Sequence, residues 1–385
     1  MIYVVDFFCG AGGASLGFNK AGANILLGID HKPIYKETFE QIRNLSGIKA
    51  QFLEADIFPA TDTHPEGQLH IVEDKINEVL KSVSFGGKRD YLIFIVCAPC
   101  QPFSTMKSKL SKKTETQRER DKALLVSTLS LAKKFSPDAI FMENVAGIDK
   151  CDENGISALG TAFDYLERLN YTCATKLVNA CNFGVAQSRF RQISLATASK
   201  HTSIKELPEK DDELDQRLTV KDVLSKYPVL ISGEKHPSIP NHITRDLTAI
   251  NLQRLSSVKP GESNRVFADS DYGDISLKCH RDLAEKNNGV SSYGDTYTRM
   301  DPDGLSPTIT TNCISVSNGR FGHYDTKQIR GISVREAAAL QSFPDDFIFY
   351  PVHSLQPAAT MVGNAVPPKL SEYYANYLFR SLDII

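Results

Sequence analysis

Residues 91–104 read YLIFIVCAPCQPFS, an apolar run followed by a turn that contains two prolines. The run Tyr91–Val96 is typical of a parallel strand covered on both faces, so Cys100 is predicted to follow the carboxyl end of a strand. In open α/β sheets, ligands bind at that edge. Pro99 and Pro102 restrict the backbone on either side of Cys100 and fix the position of its sulfur. The stretch therefore predicts an α/β fold with a thiol placed to act as a nucleophile.

Three other interpretations of Cys100 remain open at this point. Most cysteines are small buried hydrophobic residues. The spacing of Cys97 and Cys100 also matches the C-x-x-C of thioredoxin-like redox motifs. A zinc site would need a second ligand pair, and the adjacent Cys279 and His280 have the wrong spacing for tetrahedral coordination.

The composition is that of an ordinary globular protein. The chain has 385 residues, of which 41% are hydrophobic and 23% charged. No stretch approaches the ~18 consecutive apolar residues of a membrane span, and no signal peptide precedes the first strand. Eight cysteines without a paired framework agree with a reducing compartment, so we expect a cytoplasmic enzyme with no membrane association. The net charge of −2 means that any site for a polyanion would be a local patch.

A glycine-rich turn follows the first predicted strand, Ile2 to Phe8. Residues 6–18 read DFFCGAGGASLGF, and glycines at a strand-to-helix turn let a ligand approach the backbone and the helix N-terminus. The second strand, from residue 24 to 29, ends in Asp30, at about the distance along the chain where a Rossmann acid meets ribose. Asp56 follows a third apolar segment. This pattern predicts a nucleoside-containing cofactor; NAD is one candidate, although Ser15 stands at the last position of the dinucleotide fingerprint.

Further along the chain, acidic and basic side chains come at predicted strand ends. Residues 105–122 carry seven Lys or Arg against three acids and are predicted to form a polar basic loop beside Cys100. A helix over 121–135 and a buried strand over 138–142 come next, and that strand ends in Glu143. A helix over 157–169 and a strand pair around 171–179 and 191–196 follow. Arg189 and Arg191, two residues apart at a strand entry, are predicted to point to the same side.

The alternation of strands and helices then stops. Residues 205–217 are acidic and are predicted to be a domain boundary. The segment from about 218 to 330 is predicted to be smaller, loop-rich and mostly β. Ser333 and Glu336 form the capping-box pattern of a helix over 333–343, and a final helix extends to about Leu382.

In this order, these segments resemble a DNA cytosine-5 methyltransferase of the bacterial type over nearly the whole chain. Any one motif is weak, but six in the family's order form a specific signal. The six are Asp6–Gly13, Pro99–Ser104, Glu143–Val145, Gln187–Arg191, Arg335–Pro344 and Gly363–Val366.

The resemblance implies a Rossmann-like class I S-adenosylmethionine-dependent methyltransferase sheet with an inserted small, mostly β or irregular target-recognition domain. It implies domains at 1–197 (catalytic and cofactor-binding), 198–350 (target recognition and hinge) and 351–385 (a segment returning to the catalytic domain). The cofactor would be S-adenosylmethionine, leaving as S-adenosylhomocysteine, with no metal. The partner would be double-stranded DNA, acted on by a monomer, with a cognate restriction endonuclease acting independently.

The resemblance also assigns roles to matching residues. The catalytic set is Cys100, Glu143, Arg189 and Arg191, with Cys100 adding to C6 of a cytosine flipped out of the duplex. The cofactor set is Phe8, Gly10, Ala11, Gly12, Gly13, Asp30, His31, Asp56, Ile57, Pro99, Leu124, Asn364 and Ala365. The DNA set is Gln101, Ser104, Lys107 and Lys109.

The chain departs from the family pattern at three places. Cys97 stands where glycine is common, Asp30 stands where glutamate is common, and about 260 to 300 has no obvious counterpart and would carry target specificity. Two alternatives remain within this fold: a methyltransferase acting on tRNA, and a non-catalytic relative kept for DNA binding. The second predicts loss of the thiol or the acid, and both are present.

Overall fold

A computed structural model describes residues 1–61, 65–99, 112–151, 155–201, 204–279, 281–282 and 294–384; of residues 112–119 and 121 it describes the backbone alone. The chain forms two compact units. The first comprises Met1–Phe183, Phe190–Glu213 and Ala365–Ile385, and the second Gly184–Arg189 and Leu214–Asn364. The predicted domain boundaries were 197/198 and 350/351, whereas the two units meet along the chain at 213/214 and 364/365. The catalytic and target-recognition roles of the units remain predictions.

A seven-stranded sheet forms the centre of the first unit. Its order is β3-β2-β1-β4-β5-β7-β6, with parallel pairing from β3 to β5 and antiparallel pairing at β5–β7 and β7–β6. The strands are β1 (Ile2–Phe7), β2 (Asn24–Asp30), β3 (Gln51–Glu54), β4 (Tyr91–Val96), β5 (Ala139–Asn144), β6 (Tyr171–Asn179) and β7 (Phe190–Ala198). Because β1, β2 and β5 are buried along their whole length, their continuous apolar sequences are what a sheet covered on both faces requires.

Helices cover both faces of this sheet. They are α1 (Gly13–Lys20), α2 (Lys36–Phe39), α3 (Leu69–Ser82), α4 (Lys112–Phe135), α5 (Ala158–Arg168) and, from the third segment of the unit, α10 (Pro368–Ser381). On one face, the Phe18 ring of α1 lies 5.3 Å from Phe141 of β5 and 6.0 Å from Phe379 of α10. On the other face, Val72 and Ile76 of α3 join one apolar cluster with Phe94 of β4.

One prediction for this unit is wrong in part. Residues 112–122, predicted as the second half of a polar loop, form the first turns of α4. The stretch lacks apolar periodicity, which favoured a loop, but it consists of strong helix formers without glycine or proline. The first half of that predicted loop, 105–111, lies outside the described residues.

The second unit is built from short helices and long connections. Its described helices are α6 (Val220–Leu224), α7 (Ala249–Ser256), α8 (Val334–Leu340) and α9 (Leu355–Asn364). The predicted capping box at the start of α8 is confirmed, since Ser333 and Glu336 exchange both hydrogen bonds. The predicted β content is limited, within the described residues, to isolated bridges such as Lys235 with Ile243.

Buried arginines replace much of the missing strand pairing. Arg299, Arg330 and Arg335 are among the largest fully buried side chains of the described chain. Arg299 donates to the carbonyl oxygens of Leu255, His323, Asp325 and Gln328. Arg330 donates to both carboxylate oxygens of Glu336, at 2.7 Å each. Arg299 thus supplies donors to loop carbonyl oxygens, and Arg330 pairs with the buried carboxylate of Glu336.

No helix among the described residues is both long enough and apolar enough to cross a membrane.

Candidate active site

The turn after β1 has the shape of a ligand-binding backbone. Phe8 has a φ of 60°, which is uncommon for a non-glycine residue, and Gly10 and Gly12 have φ of 49° and 82°. A Cβ added at Gly10 would meet nothing within 4 Å, whereas one at Gly12 would lie 2.9 Å from the Ile42 side chain and 3.0 Å from Phe39. Gly12 is therefore required by packing, and the space beside Gly10 is open to a ligand.

Asp30, the last residue of β2, is joined to this turn. Its Oδ2 accepts a hydrogen bond from the backbone N–H of Gly10 at 3.1 Å, and its Oδ1 accepts one from Lys32 at 3.2 Å. His31 is exposed, with Nδ1 3.2 Å from Asp30 Oδ1. The end of β2 and the turn after β1 are thus held at a fixed separation by one carboxylate.

Asp6 is a functional candidate to which the sequence motif assigns no role. It is 1% exposed, and its Oδ2 accepts a 2.6 Å hydrogen bond from Ser15 Oγ, while the buried Oδ1 has no hydrogen-bond partner among the described residues. Burial, and to a lesser degree the charge of Asp30, raise the pKa of Asp6 to about 7. A buried carboxylate oxygen without a donor is unfavourable unless a cationic or donor ligand reaches it. The signal in the sequence is an acid at a strand end directly before the glycines.

The other residues predicted to bind the cofactor belong to several different elements of the chain. Asp56 and Ile57 follow β3, and the Asp56 N–H donates to Gln68 Oε1 at 2.9 Å. Pro99 is exposed after β4, and Leu124 of α4 packs against the core. Ala11 and Gly13 are buried in the turn after β1. Asn364 is exposed at the end of α9 in the second unit, and Ala365 is buried in the first unit.

Glu143 and Arg191 form an ion pair at the end of β5. Arg191 Nε lies 2.9 Å from Glu143 Oε1, and the two side chains are 14% and 10% exposed. The approach is close but lacks hydrogen-bond alignment, and Oε1 accepts no hydrogen bond from the described residues. The carboxylate is therefore held electrostatically while it keeps accepting capacity for another group.

Asn144, next to Glu143, holds the turn that leads to Cys100. Its Nδ2 donates to the carbonyl oxygen of Ala98 at 3.1 Å, and its Oδ1 accepts from the N–H of Val145 at 2.9 Å. The predicted nucleophile Cys100 lies outside the described residues, as do the predicted DNA contacts Gln101, Ser104, Lys107 and Lys109. What is described of the turn ends at Pro99.

Arg189 has different contacts from Arg191. It is 2% exposed, and it donates from Nη1 to the carbonyl oxygen of Ile309 at 2.9 Å and from Nη2 to that of Gly363 at 3.1 Å. All three residues belong to the second unit. Arg189 therefore ties two segments of that unit together, and its role as a second catalytic arginine stays a prediction.

No group of three His, Cys, Asp or Glu side chains that could hold a metal ion occurs in the described parts of the chain.

The comparison with protein families decides the identity. Residues 2–380 match the family described as C-5 cytosine-specific DNA methylase. The chain belongs to this family. The reaction of this DNA methylase is the transfer of a methyl group from S-adenosylmethionine to carbon 5 of cytosine, and its substrate is DNA. The predicted family, activity and cofactor are confirmed.

The sequence similarity between the methylase and its relatives covers nearly its whole length. It is 32% identical to the type II methylase M.HgiDII of Herpetosiphon aurantiacus over 99% of this chain and 96% of that protein. It is 30% identical to the type II methyltransferase M1.HphI of Haemophilus parahaemolyticus over 98% of this chain and 86% of that protein.

The fold of the methylase is similar to those of solved structures. A DNA modification methyltransferase encoded within an E. coli prophage matches with a TM-score of 0.62, 21% identity and full coverage of both chains. The S. pombe Dnmt2 methyltransferase matches with a TM-score of 0.57, 15% identity and full coverage of both chains. The predicted class I methyltransferase fold is confirmed.

The residues of the methylase fit the cofactor of its family. S-adenosylmethionine carries an ammonium group on its methionine part and hydroxyls on its ribose. The Oδ1 of Asp6, which accepts no hydrogen bond from the residues that the structure describes, suits a cationic donor, and the space beside Gly10 admits a ligand. Asp6 lies near the end of β1 and Gly10 in the turn that follows, at the carboxyl edge of the sheet, where this fold binds ligands.

Proposed function

We propose that Cys100 and Glu143 carry the chemistry of this methylase on a cytosine flipped out of a specific sequence in duplex DNA. The observation that carries the proposal is the Glu143–Arg191 pair at the carboxyl edge of the sheet, whose Oε1 accepts no hydrogen bond from the described residues. A carboxylate positioned in this way can receive the protonated N3 and the exocyclic amine of cytosine. Asn144, bonded to the carbonyl of Ala98, supports the turn that carries the thiol.

Cys100 would act as the nucleophile because carbon 5 of cytosine is itself a poor one. The thiolate adds to C6, a C6–sulfur bond forms, and the electron pair of the 5,6 double bond becomes available at C5. S-adenosylmethionine supplies the methyl group that C5 takes, and S-adenosylhomocysteine leaves. A base then removes the C5 proton, the 5,6 double bond re-forms and the Cys100 thiolate departs. Covalent addition divides one difficult step into two easier ones.

Glu143 and Arg191 would stabilise the ring during the addition. Negative charge develops on the pyrimidine as the thiolate attacks, and a donor at N3 together with a guanidinium at the C2 oxygen reduces that charge. Glu143 would share the proton at N3, while the Arg191 guanidinium stays beside its carboxylate. Arg189 would support this arrangement through the segments that it ties together.

Different residues would bind the methionine, ribose and adenine parts of S-adenosylmethionine. The turn from Phe8 to Gly13, with Asp6, would hold the methionine part. Asp30 would receive the ribose hydroxyls with a side chain one methylene shorter than the family's usual glutamate. Asp56 and Ile57 would hold the adenine. The remaining predicted residues of the pocket are His31, Pro99, Leu124, Asn364 and Ala365.

The second unit would read the target sequence from the major groove, where each base pair has a distinct pattern of donors and acceptors. Gln101, Ser104, Lys107 and Lys109 would contact the DNA near the flipped base. The target cytosine must leave the stack because C5 and C6 are inaccessible within a duplex. We further propose a monomeric enzyme of the cytoplasm that protects the site of a separate restriction endonuclease, as the type II names of its relatives suggest.

Bisulfite sequencing of plasmid DNA from cells that express the chain tests the proposal. We expect protected cytosines at one short motif with the wild type, and none with Cys100→Ser, which should remain folded. Cys97→Ser is the matched control, since it removes a neighbouring thiol and should leave protection intact. Protection that survives in Cys100→Ser would rule out the assigned nucleophile. If soluble protein binds the cofactor but protects no cytosine in DNA, the DNA assignment would be wrong and tRNA would be the next substrate to test.

A second measurement isolates Glu143. Glu143→Ala should lower the rate constant of methyl transfer by orders of magnitude with little change in DNA affinity, because the carboxylate acts on the reacting ring. Single-turnover kinetics beside a DNA-binding titration separate the two quantities. A variant that methylates within about twofold of the wild-type rate would refute the role.

A further inference from the structure

Phe190 is the one phenylalanine with an exposed side chain among those that the structure describes. It is 55% exposed, whereas the other described phenylalanines are buried or half-buried. Single exposed apolar side chains are common on protein surfaces, so exposure alone carries no conclusion. The position of this ring in the sheet is what distinguishes it.

The first residue of β7 lies at the catalytic edge of the sheet. Since β7 runs antiparallel to β5, its start lies where β5 ends. Gln192 pairs with Asn144, the last residue of β5, so Phe190 extends two residues beyond that strand. On its other side it pairs with Asn179, the last residue of β6. Phe190 therefore projects from the same edge as Glu143.

The backbone of Phe190 also holds the catalytic arginine. Arg191 Nη1 donates to the carbonyl oxygen of Phe190 at 2.7 Å, while Nε lies 2.9 Å from Glu143. Successive side chains of a strand point to opposite faces, so the ring of Phe190 points away from the guanidinium of Arg191. The solvent-exposed ring of Phe190 therefore lies next in sequence to Arg191, whose pair with Glu143 would meet the target base.

We propose that Phe190 inserts into the duplex beside the target cytosine and stabilises its extrusion from the stack. Flipping a base loses stacking worth a few kcal/mol, and apolar side chains, phenylalanine among them, offset such losses by wedging between base steps. The substrate of the family is DNA, and a ring at this edge would be covered when the reacting base reaches Glu143. The inference rests on the proposed roles of Glu143 and Arg191.

A residue that wedges into the duplex would affect the extrusion of the base, whereas a residue that only supports Arg191 would affect the methyl transfer that follows. Loss of a wedge raises the free energy of extrusion and leaves the chemistry on an extruded base unchanged. A base that is already mispaired costs less to extrude. The defect of a wedge variant should therefore shrink on a duplex with a mismatch at the target, whereas a defect in the Glu143–Arg191 pair should be the same on both duplexes.

The experiment compares the full-length wild type with Phe190→Ala, Phe190→Trp and a control, Leu45→Ala. Leu45 is 93% exposed and follows Asn44, whose side chain bonds the backbone of Ile25 near the start of β2, at the opposite edge of the sheet. Two oligonucleotide duplexes carry the motif mapped by bisulfite sequencing, one fully paired and one with a mismatch opposite the target cytosine. The single-turnover rate constant is measured on both, and 2-aminopurine at the target position reports extrusion.

We expect Phe190→Ala to lose about 10- to 100-fold on the paired duplex, to recover most of that loss on the mismatched one, and to show weaker 2-aminopurine fluorescence. Phe190→Trp and Leu45→Ala should behave like the wild type. An equal loss on both duplexes, or activity on the paired duplex within about twofold of Leu45→Ala, would overturn the inference. A wild type inactive on both duplexes would overturn the proposed function, and this inference with it.

Discussion

At the scale of single residues, the proposed contact of Asp6 with the cofactor would link the ionisation of this carboxyl group to cofactor binding. The carboxylate of Asp6 accepts a hydrogen bond from Ser15 Oγ, its buried Oδ1 has no hydrogen-bond partner in the described part of the chain, and burial raises its pKa to about 7. A cationic ligand would favour the charged form and lower that pKa. Below about pH 7, cofactor binding must therefore release a proton from Asp6, so that affinity rises with pH.

Asp6→Asn should flatten this dependence. Between about pH 5.5 and 7 we expect the affinity of the wild type for S-adenosylhomocysteine to rise towards tenfold per pH unit, and that of Asp6→Asn to stay level and roughly tenfold or more weaker at neutral pH. Isothermal titration calorimetry across this range measures both quantities. Ser15→Ala is the matched control. Because the Ser15 hydrogen bond lowers the pKa of Asp6, its removal should move the dependence to higher pH. A pH-independent affinity in the wild type would contradict the argument.

The residues of the site differ in how far the sequence could predict them. Glu143 and Asp30 follow apolar strands, and a strand end is a local pattern. The partner of Arg189 could not be predicted in this way, because Ile309 and Gly363 lie far away in sequence. The pairing of Arg191 with Glu143 likewise depends on β7 lying beside β5, which is a property of the assembled sheet.

At the scale of elements, helix α1 is positioned by a glycine. A Cβ at Gly17 would lie 2.0 Å from Ser371 Oγ and 2.4 Å from the carbonyl oxygen of Pro368, both in α10. The two helices therefore approach more closely than any side chain at position 17 permits. The same α1 begins at Gly13, so this contact also fixes the end of the cofactor turn.

Gly17→Ala should lower the free energy of unfolding by about 1–3 kcal/mol through overpacking. Gly160→Ala in α5 is the matched control, because its Cβ would meet only Ser157 Oγ, at 3.1 Å, and alanine favours a helix. Urea unfolding followed by circular dichroism measures the difference. Equal midpoints for the two variants would show that α1 and α10 do not pack as described.

The elements also separate what sequence patterns determine from what they leave open. The strands of the parallel sheet were predicted nearly to their ends because burial on both faces leaves a continuous apolar run. The first turns of α4 were not predicted because their sequence has no apolar period. In the second unit, backbone carbonyl oxygens accept hydrogen bonds from side chains such as that of Arg299. No local sequence pattern predicts that an arginine will be buried.

At the scale of the whole molecule, the two units should respond to pH in opposite directions. In the second unit, burial lowers the pKa of His323 to about 4, and Arg330 helps to lower that of Glu336 to about 2. Unfolding at pH 5 protonates the histidine, so stability is lost as pH falls from about 6.5 towards 4. In the first unit the raised pKa of Asp6 means that stability is lost as pH rises from about 4 to 7.

Pulse proteolysis at about pH 5 and about pH 7.5 tests this contrast, with fragments assigned to each unit by mass. We expect the second unit to open more readily at the lower pH and the ligand-free first unit at the higher, by roughly 1 kcal/mol per pH unit for each group. His323→Gln should reduce the response of the second unit alone, and Asp6→Asn that of the first. Parallel responses of both units, unchanged in these variants, would contradict the assignment.

The contact between α1 and α10 has a consequence for synthesis on the ribosome. Strand β1 and helix α1 belong to a unit whose helix α10 is translated only after all of residues 214–364. Until then Phe18 lacks its contact with Phe379. Because α10 is the last element of the first unit, that unit can be completed only after the chain of the second unit has been synthesised.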